Sequence, residues 1–134
     1  MTTIQTLPIQ QALSRGNIIA YPTETVFALG CDAHNTRAVI SLKKLKERHS
    51  TQGFILLVHT IDQARYYVDH SEWGLLGKLV QSRHITWTFR ASTTCPHEVQ
   101  ENNRIALRCS AHPLCQQILK DYPHAIVSTS ANHR

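Results

Sequence analysis

Apolar positions along the chain fall into runs with two different periods. FILLV at 54–58 is continuous, the pattern of a strand covered on both faces, and NIIAY at 17–21 is a shorter buried run. HITWTFRAS at 84–92 alternates with strand period, RIALRC at 104–109 reads as another strand, and AIVSTSA at 125–131 as the last. Between them lie helical signals. Pro8 suits a first helical position ahead of IQQALSR, with Gly16 as a stop. Asn35 or Thr36 can cap a helix running to about Arg48, whose Ala38, Leu42 and Leu45 share one apolar face while Lys43, Lys44 and Lys46 fall elsewhere. Thr60 and Gln63 form a capping box for a helix through Tyr67. Ser71 can cap a further helix, weakened by Gly74 and Gly77, and Pro113 starts the last.

Strands and helices alternate early, and then two strands follow in sequence. That order predicts an α/β fold with a mixed sheet under helices. With no repeat and no linker, residues 1–134 read as one domain, long enough to bury a true core.

Composition changes this picture little. Apolar residues make up 42% and charged residues 17%, which excludes a disordered chain. The longest apolar run is far too short to span a bilayer and the N-terminus has no signal-peptide core, so a soluble, cytoplasmic protein is expected. A net charge of +5 suits phosphate-bearing partners, nucleotide or RNA, or is ordinary solubility charge. Cys31, Cys95, Cys109 and Cys115 lack metal-site spacing and are expected as reduced core thiols. The nine histidines show no HxxxH pair, so no metal site is expected.

Three polar clusters sit where ligands bind in α/β folds, at strand ends or nearby. The first is PTET, 22–25, after the first strand, flanked by Tyr21 and Phe27, which are core aromatics or ligand contacts. The second is LKERH, 45–49, where Lys46 and Arg48 either reach a polyphosphate or offset the helix dipole. The third is STSAN, 128–132, an anion cradle or an ordinary Ser/Thr turn. Arg108 lies inside an apolar strand and needs a carboxylate partner, from the protein or from a ligand. Among these residues no general base or covalent nucleophile is evident, and no phosphate-loop motif occurs, so any catalysis would act by positioning and charge.

In this order the clusters resemble the YrdC-like family of TsaC-type threonylcarbamoyl-AMP synthases. The quoted signatures are YPTETVFALGCD, LKER, ITWTF, IALR with HP shortly after, and VSTSAN, and they run from about residue 8 to the end. The resemblance implies a twisted mixed sheet with flanking helices around a basic concave cavity. It implies an enzyme, a nucleotidyltransferase that makes threonylcarbamoyl-adenylate from L-threonine, bicarbonate and ATP, with Mg²⁺ assisting. Partner proteins would then carry the group to tRNA in the t6A modification, and double-stranded RNA binding is part of the same expectation. Carried over by position, Thr23 and Arg108 would bind L-threonine, Lys46 and Arg48 would be catalytic at the nucleotide, and Thr86, Ser130 and Asn132 would bind it.

The chain departs from the family pattern in places. His49 stands where proline is usual, Gln52 where lysine is common, and Ser82-Arg83-His84 where the family carries a rigid PGP turn. Relatives also continue past SAN. The expectation is therefore a shortened member lacking the usual C-terminal section, with reduced activity. The alternative is a nucleotide- or RNA-binding protein without turnover.

Overall fold

The computed structural model describes residues 7–22 and 27–131. It holds five α-helices, α1 (Leu7–Ser14), α2 (Thr36–Leu45), α3 (Ile61–Arg65), α4 (Leu76–Gln81) and α5 (Pro113–Lys120), and two short 3₁₀ turns. Six strands, β1 (Ile19–Pro22), β2 (Phe27–Gly30), β3 (Ile55–Val58), β4 (Trp87–Arg90), β5 (Arg104–Cys109) and β6 (Ile126–Ser130), form one sheet in the order β1-β2-β6-β3-β5-β4. Only β3 and β5 pair in parallel; the other neighbours are antiparallel. The mixed α/β sheet predicted from the sequence is the one observed.

One strand was not predicted. FALG, 27–30, forms β2 and pairs with β1, Pro22 opposite Phe27 and Ile19 opposite Gly30. Four residues with a terminal glycine give too short an apolar signal to stand out beside the polar PTET motif. A Cβ on Gly30 would lie 2.5 Å from the Val127 carbonyl oxygen, so the strand packs there only because the side chain is missing.

The central strand β3 is buried on both sides, as its run of apolar residues predicts. Leu56 and Val58 join a core built with Val39 and Leu42 of α2, Ala64 of α3, Leu76 and Leu79 of α4, and Phe89, Leu107 and Val127 of the sheet. Leu57 points the other way, into a smaller core with Leu13 of α1, Ile118 and Leu119 of α5, Tyr21 and Ile126. The two halves of the period-2 pattern thus feed two separate cores.

Asn35 caps α2, accepting from the Ala38 N–H at 2.9 Å, and this fixes how the helix is rotated. The buried face is Ala38, Val39, Leu42 and Lys43, and Leu45 is 59% exposed. The predicted placement of Leu45 inside and Lys43 outside is therefore corrected. Lys43 buries its stem while Nζ donates to the Ser50 carbonyl at 2.9 Å and lies 3.7 Å from Glu98, so the charge is met. Thr60 caps α3, but Gln63 accepts from the His59 N–H instead of closing the box on Thr60. Asp69, not Ser71, caps the 3₁₀ turn at His70–Leu75.

A buried carboxylate ties the entry of β6 to the exit of β2. Asp32 accepts from the Tyr122 hydroxyl at 2.5 Å, from His124 Nδ1 at 2.9 Å and from the His34 N–H at 2.8 Å. Tyr67 adds a second tie, its hydroxyl accepting from the Ala125 N–H and meeting His34 Nε2, both at 2.8 Å. Burying a carboxylate is costly unless it is hydrogen-bonded, and this one is bonded from three residues. The His34 and His124 rings stack at 3.8 Å and 5°.

Two predictions follow from this packing. All four cysteines are buried thiols outside any disulfide, and burial pushes the Cys31 and Cys95 thiols up to about 12. Native protein should react with Ellman's reagent far more slowly than guanidine-unfolded protein, which should show four thiols; fast native reaction would contradict the buried placement. Burial, with His124 alongside, holds the His34 imidazole below its usual 6.5, and Asp32 offsets this only in part. The unfolded chain then takes up the proton first, so this stability is intact above the unfolded value and is lost as pH falls below it. Urea midpoints taken from about pH 7.5 down to about pH 5 should fall more steeply for wild type than for His34→Gln. Equal slopes would remove His34 from the account.

Candidate active site

Period-2 alternation decides what faces the open side of the sheet. Through the registers, Tyr21, Ala28, Ile126, Ser128, Ser130, Ile55, Leu57, Ala106, Arg108 and Thr88 all lie on the face that α1 and α5 cover. Those two helices bury only part of it. Ile55, Ser128, Ser130, Ala106, Arg108 and the neighbouring Thr86 stay half-buried, a polar surface with an apolar floor.

At one end of this face, β6 and α2 meet. Lys46 caps α2 and its Nζ donates to the Ser130 carbonyl at 2.7 Å. The chain leaves the helix by a tight double turn, Arg48 N–H to the Lys43 carbonyl at 2.8 Å and Glu47 N–H to the Lys44 carbonyl at 3.1 Å. This is a Schellman ending, in which glycine normally occupies the left-handed position. Here Glu47 takes it, at φ 54. Such a conformation costs a non-glycine residue about 1–2 kcal/mol, and backbone strain of this kind gathers at functional sites. The turn throws Lys46 and Arg48 to different surroundings: the Arg48 guanidinium lies over the Phe54 ring, 4.9 Å from its centre.

Toward the other end sits Arg108, opposite Leu57 in the parallel ladder. Its Nε donates to Thr86 Oγ1 at 3.1 Å. Tyr21 lies nearby, its phenol pushed well above the usual range chiefly by burial, with Ser128 as a hydrogen-bond neighbour and Arg108 within electrostatic reach. Cys115 at the start of α5 bonds the Pro22 carbonyl at 3.4 Å, which brings the end of β1 to the same region.

Of the residues singled out in the sequence, Lys46 and Ser130 come together, as do Thr86 and Arg108. Arg48 stands on Phe54 instead. Thr23 and Asn132 lie outside the described residues. Of the two flanking aromatics, Tyr21 is a core residue and Phe27 is 62% exposed. One contact was missed, Tyr21 as a neighbour of Arg108, which only the register reveals; Ser128 already stood within the STSAN cluster.

The two pairs stand apart. Ser130 lies four residues along β6 from Ile126, whose row holds Leu57 and Arg108 two strands away. With about 3.4 Å per residue and about 4.8 Å between strands, the two main-chain positions are roughly 16 Å apart. Each pair offers its own cationic group, a lysine at one and an arginine at the other. Among the described residues, no group of three or more His, Cys, Asp or Glu side chains could hold a metal, and no helix is long and apolar enough to cross a membrane.

The Sua5/YciO/YrdC family model, described as "Telomere recombination", matches residues 11–134. A threonylcarbamoyl-AMP synthase of Coxiella burnetii is 35% identical over 125 residues, 91% of this chain and 67% of the relative. Another from Xylella fastidiosa is 36% identical, covering 98% of this chain and 73% of the relative. The crystal structure of P. abyssi Sua5 complexed with L-threonine superposes with a TM-score of 0.84 at 24% identity, over 98% of this chain. This chain spans 41% of that Sua5 chain. With sequence and sheet shared along nearly its whole length, the protein belongs to the Sua5/YciO/YrdC family.

Proposed function

We propose that this protein is a threonylcarbamoyl-AMP synthase, forming threonylcarbamoyl-adenylate and pyrophosphate from L-threonine, bicarbonate and ATP. The observation that carries the reading is the pairing of Lys46 with the Ser130 carbonyl at the end of β6 and of Arg108 with Thr86 on the open sheet face. The relatives' name supplies the reaction, and an arginine for a carboxylate and a lysine for a phosphate are the charges that reaction needs.

The chemistry asks for positioning more than for reactive side chains. The threonine amine and bicarbonate combine to a carbamate with loss of water. A carbamate oxygen then attacks the α-phosphorus of ATP, and the bond to the β-phosphate oxygen breaks to release pyrophosphate. Three anionic groups must approach, so cancelling their repulsion and aligning them is the main catalytic task. Arg108 takes the threonine carboxylate, with Thr86 fixing the guanidinium through its Nε. Lys46, tied to the end of β6, takes a phosphate, and the Ser130 hydroxyl donates to another phosphate oxygen. Arg48 stands on Phe54, apart from this pair, and Thr23 and Asn132 would serve the threonine and nucleotide ends as the resemblance implies. Mg²⁺ accompanying ATP would be held mainly by the phosphates and would offset their charge. The product would pass to partner proteins acting on tRNA, in the cytoplasm.

Pyrophosphate release from ATP should require both threonine and bicarbonate. Lys46→Ala should lower kcat/KM for ATP by about 100-fold, roughly 2.7 kcal/mol of transition-state stabilisation. Arg108→Ala should act mainly on threonine, raising its KM by about 30-fold or more. Thr86→Val should raise the threonine KM about 3- to 10-fold with ATP unaffected, the signature of a residue acting through Arg108. Pyrophosphate formed without threonine would overturn the reading, and so would an Arg108→Ala enzyme with an ordinary threonine KM.

A further inference from the structure

A second cavity of about 430 Å³ opens beside α3 and the turn before β6, lined among others by His34, Asp62, Gln63, Tyr66, Tyr67 and His124. It lies at the start of β6, whereas Ser130 lies at its end. Six residues separate His124 from Ser130, and the cavity's Tyr67 and Ala125 belong to the larger core, whereas Arg108 lies on the opposite face that α1 and α5 cover, so this is a different place from the site above. The asymmetry of its hydrogen bonding gives it chemical character.

A carboxylate only accepts, so the bond from His124 to Asp32 puts a proton on His124 Nδ1. In the neutral ring His124 Nε2 is then an acceptor. Tyr67 accepts from the Ala125 N–H; with its own proton given to His34 Nε2, His34 carries its proton on Nδ1. In those tautomers the two lining imidazoles carry one free-ring acceptor and one donor between them. Flat surfaces stand beside them: the two stacked imidazoles, and Tyr66, 46% exposed and 5.2 Å from the His34 ring.

Charge selects further. None of the residues named as lining the cavity is Lys or Arg. Asp32 lies behind the imidazoles, and Asp62 stands at the rim, 3.0 Å from Arg65. A phosphate would meet carboxylates without a lining cation, while a neutral ring would not. A pocket with aromatic walls and a few convergent polar groups is where a small ligand binds, and bases stack on such rings whatever their sequence. We propose that this cavity is a second ligand site, for the flat face and the donor–acceptor edge of a neutral nucleobase, free as a nucleoside or unpaired in an RNA strand.

The test uses the full chain labelled at histidine nitrogen, with ATP present to occupy the nucleotide site. Adenosine, and then uridine, are titrated while the His34 and His124 side-chain resonances are followed. Saturable shifts at both imidazoles are expected. Tyr66→Ala, altering an exposed side chain, and His34→Ala should each weaken binding about tenfold, and AMP should bind several-fold more weakly than adenosine. Circular dichroism of each variant checks that it is folded. A short unpaired RNA oligonucleotide is the second arm. The same histidine shifts with RNA would make the source a strand, and shifts with nucleoside alone would make it a metabolite. No saturable shift at millimolar nucleoside would overturn the site. Unchanged affinity in folded Tyr66→Ala, tighter binding of AMP than adenosine, or displacement by ATP would do the same. None of these outcomes depends on synthase activity, so the two readings fail separately.

Discussion

The sheet holds together through one strand. β6 is the ladder between the β1–β2 hairpin and the β3, β5 and β4 group, antiparallel to β2 on one side and to β3 on the other. Without it the hairpin would have no hydrogen-bonded neighbour, and a lone two-stranded hairpin is marginal in water. Five residues carry three duties. Val127 enters the larger core and Ile126 the smaller, while Ser128 and Ser130 turn to the open face. The buried Asp32 ties down the strand's entry, and Lys46 holds its exit through the Ser130 carbonyl.

The candidate site inherits its shape from this arrangement. A sheet face that is only half covered by α1 and α5 leaves polar side chains standing on an apolar floor. Alternation then guarantees that Ser128, Ser130 and Arg108 share that face, because each is an even number of residues from a partner already placed there. A one-residue slip of β6 would turn both serines into the larger core and Val127 out of it. Core and site therefore enforce the same register, and the core does so with much the larger free energy.

That double use explains what the sequence disclosed. β3, β5, β6 and α5 were legible because their apolar periods are long and their caps or boundaries are clear. Ser130 and Arg108 were legible as oddities, polar groups at or inside strands with no evident structural task. The Asp32 cluster was not, because Tyr122 and His124 lie some 90 residues away and no local pattern announces them. Nor was the burial of Lys43. Helical period alone leaves the rotation of α2 open by a residue, and the Asn35 cap together with Glu98 decides it. Asp69 is the cap because the turn begins at His70, which leaves Ser71 inside it as the donor to the Asp69 carboxylate.

The departures from the family pattern look different once their bonds are seen. Proline is usual at position 49, and proline has no N–H to satisfy. His49 has one, and it donates to Gln52 Oε1 at 2.7 Å, at the position where lysine is common. The Gln52 N–H returns to the His49 carbonyl at 3.0 Å, so the two departures complement each other in one closed turn. The segment before Thr86 shows the same substitution of means. In place of a turn stiffened by prolines, His84 takes a left-handed φ of 79 and its N–H reaches the Cys109 carbonyl at 3.2 Å. Arg83 donates to the Ser110 carbonyl at 3.1 Å. Prolines stiffen a turn by narrowing the unfolded ensemble; these bonds stiffen it by adding native contacts to the end of β5, next to Arg108. The loop that carries Thr86 is thus fastened to the strand that carries its partner. The Thr86–Arg108 geometry then depends on two residues, Arg83 and His84, that the family pattern would have marked only as losses.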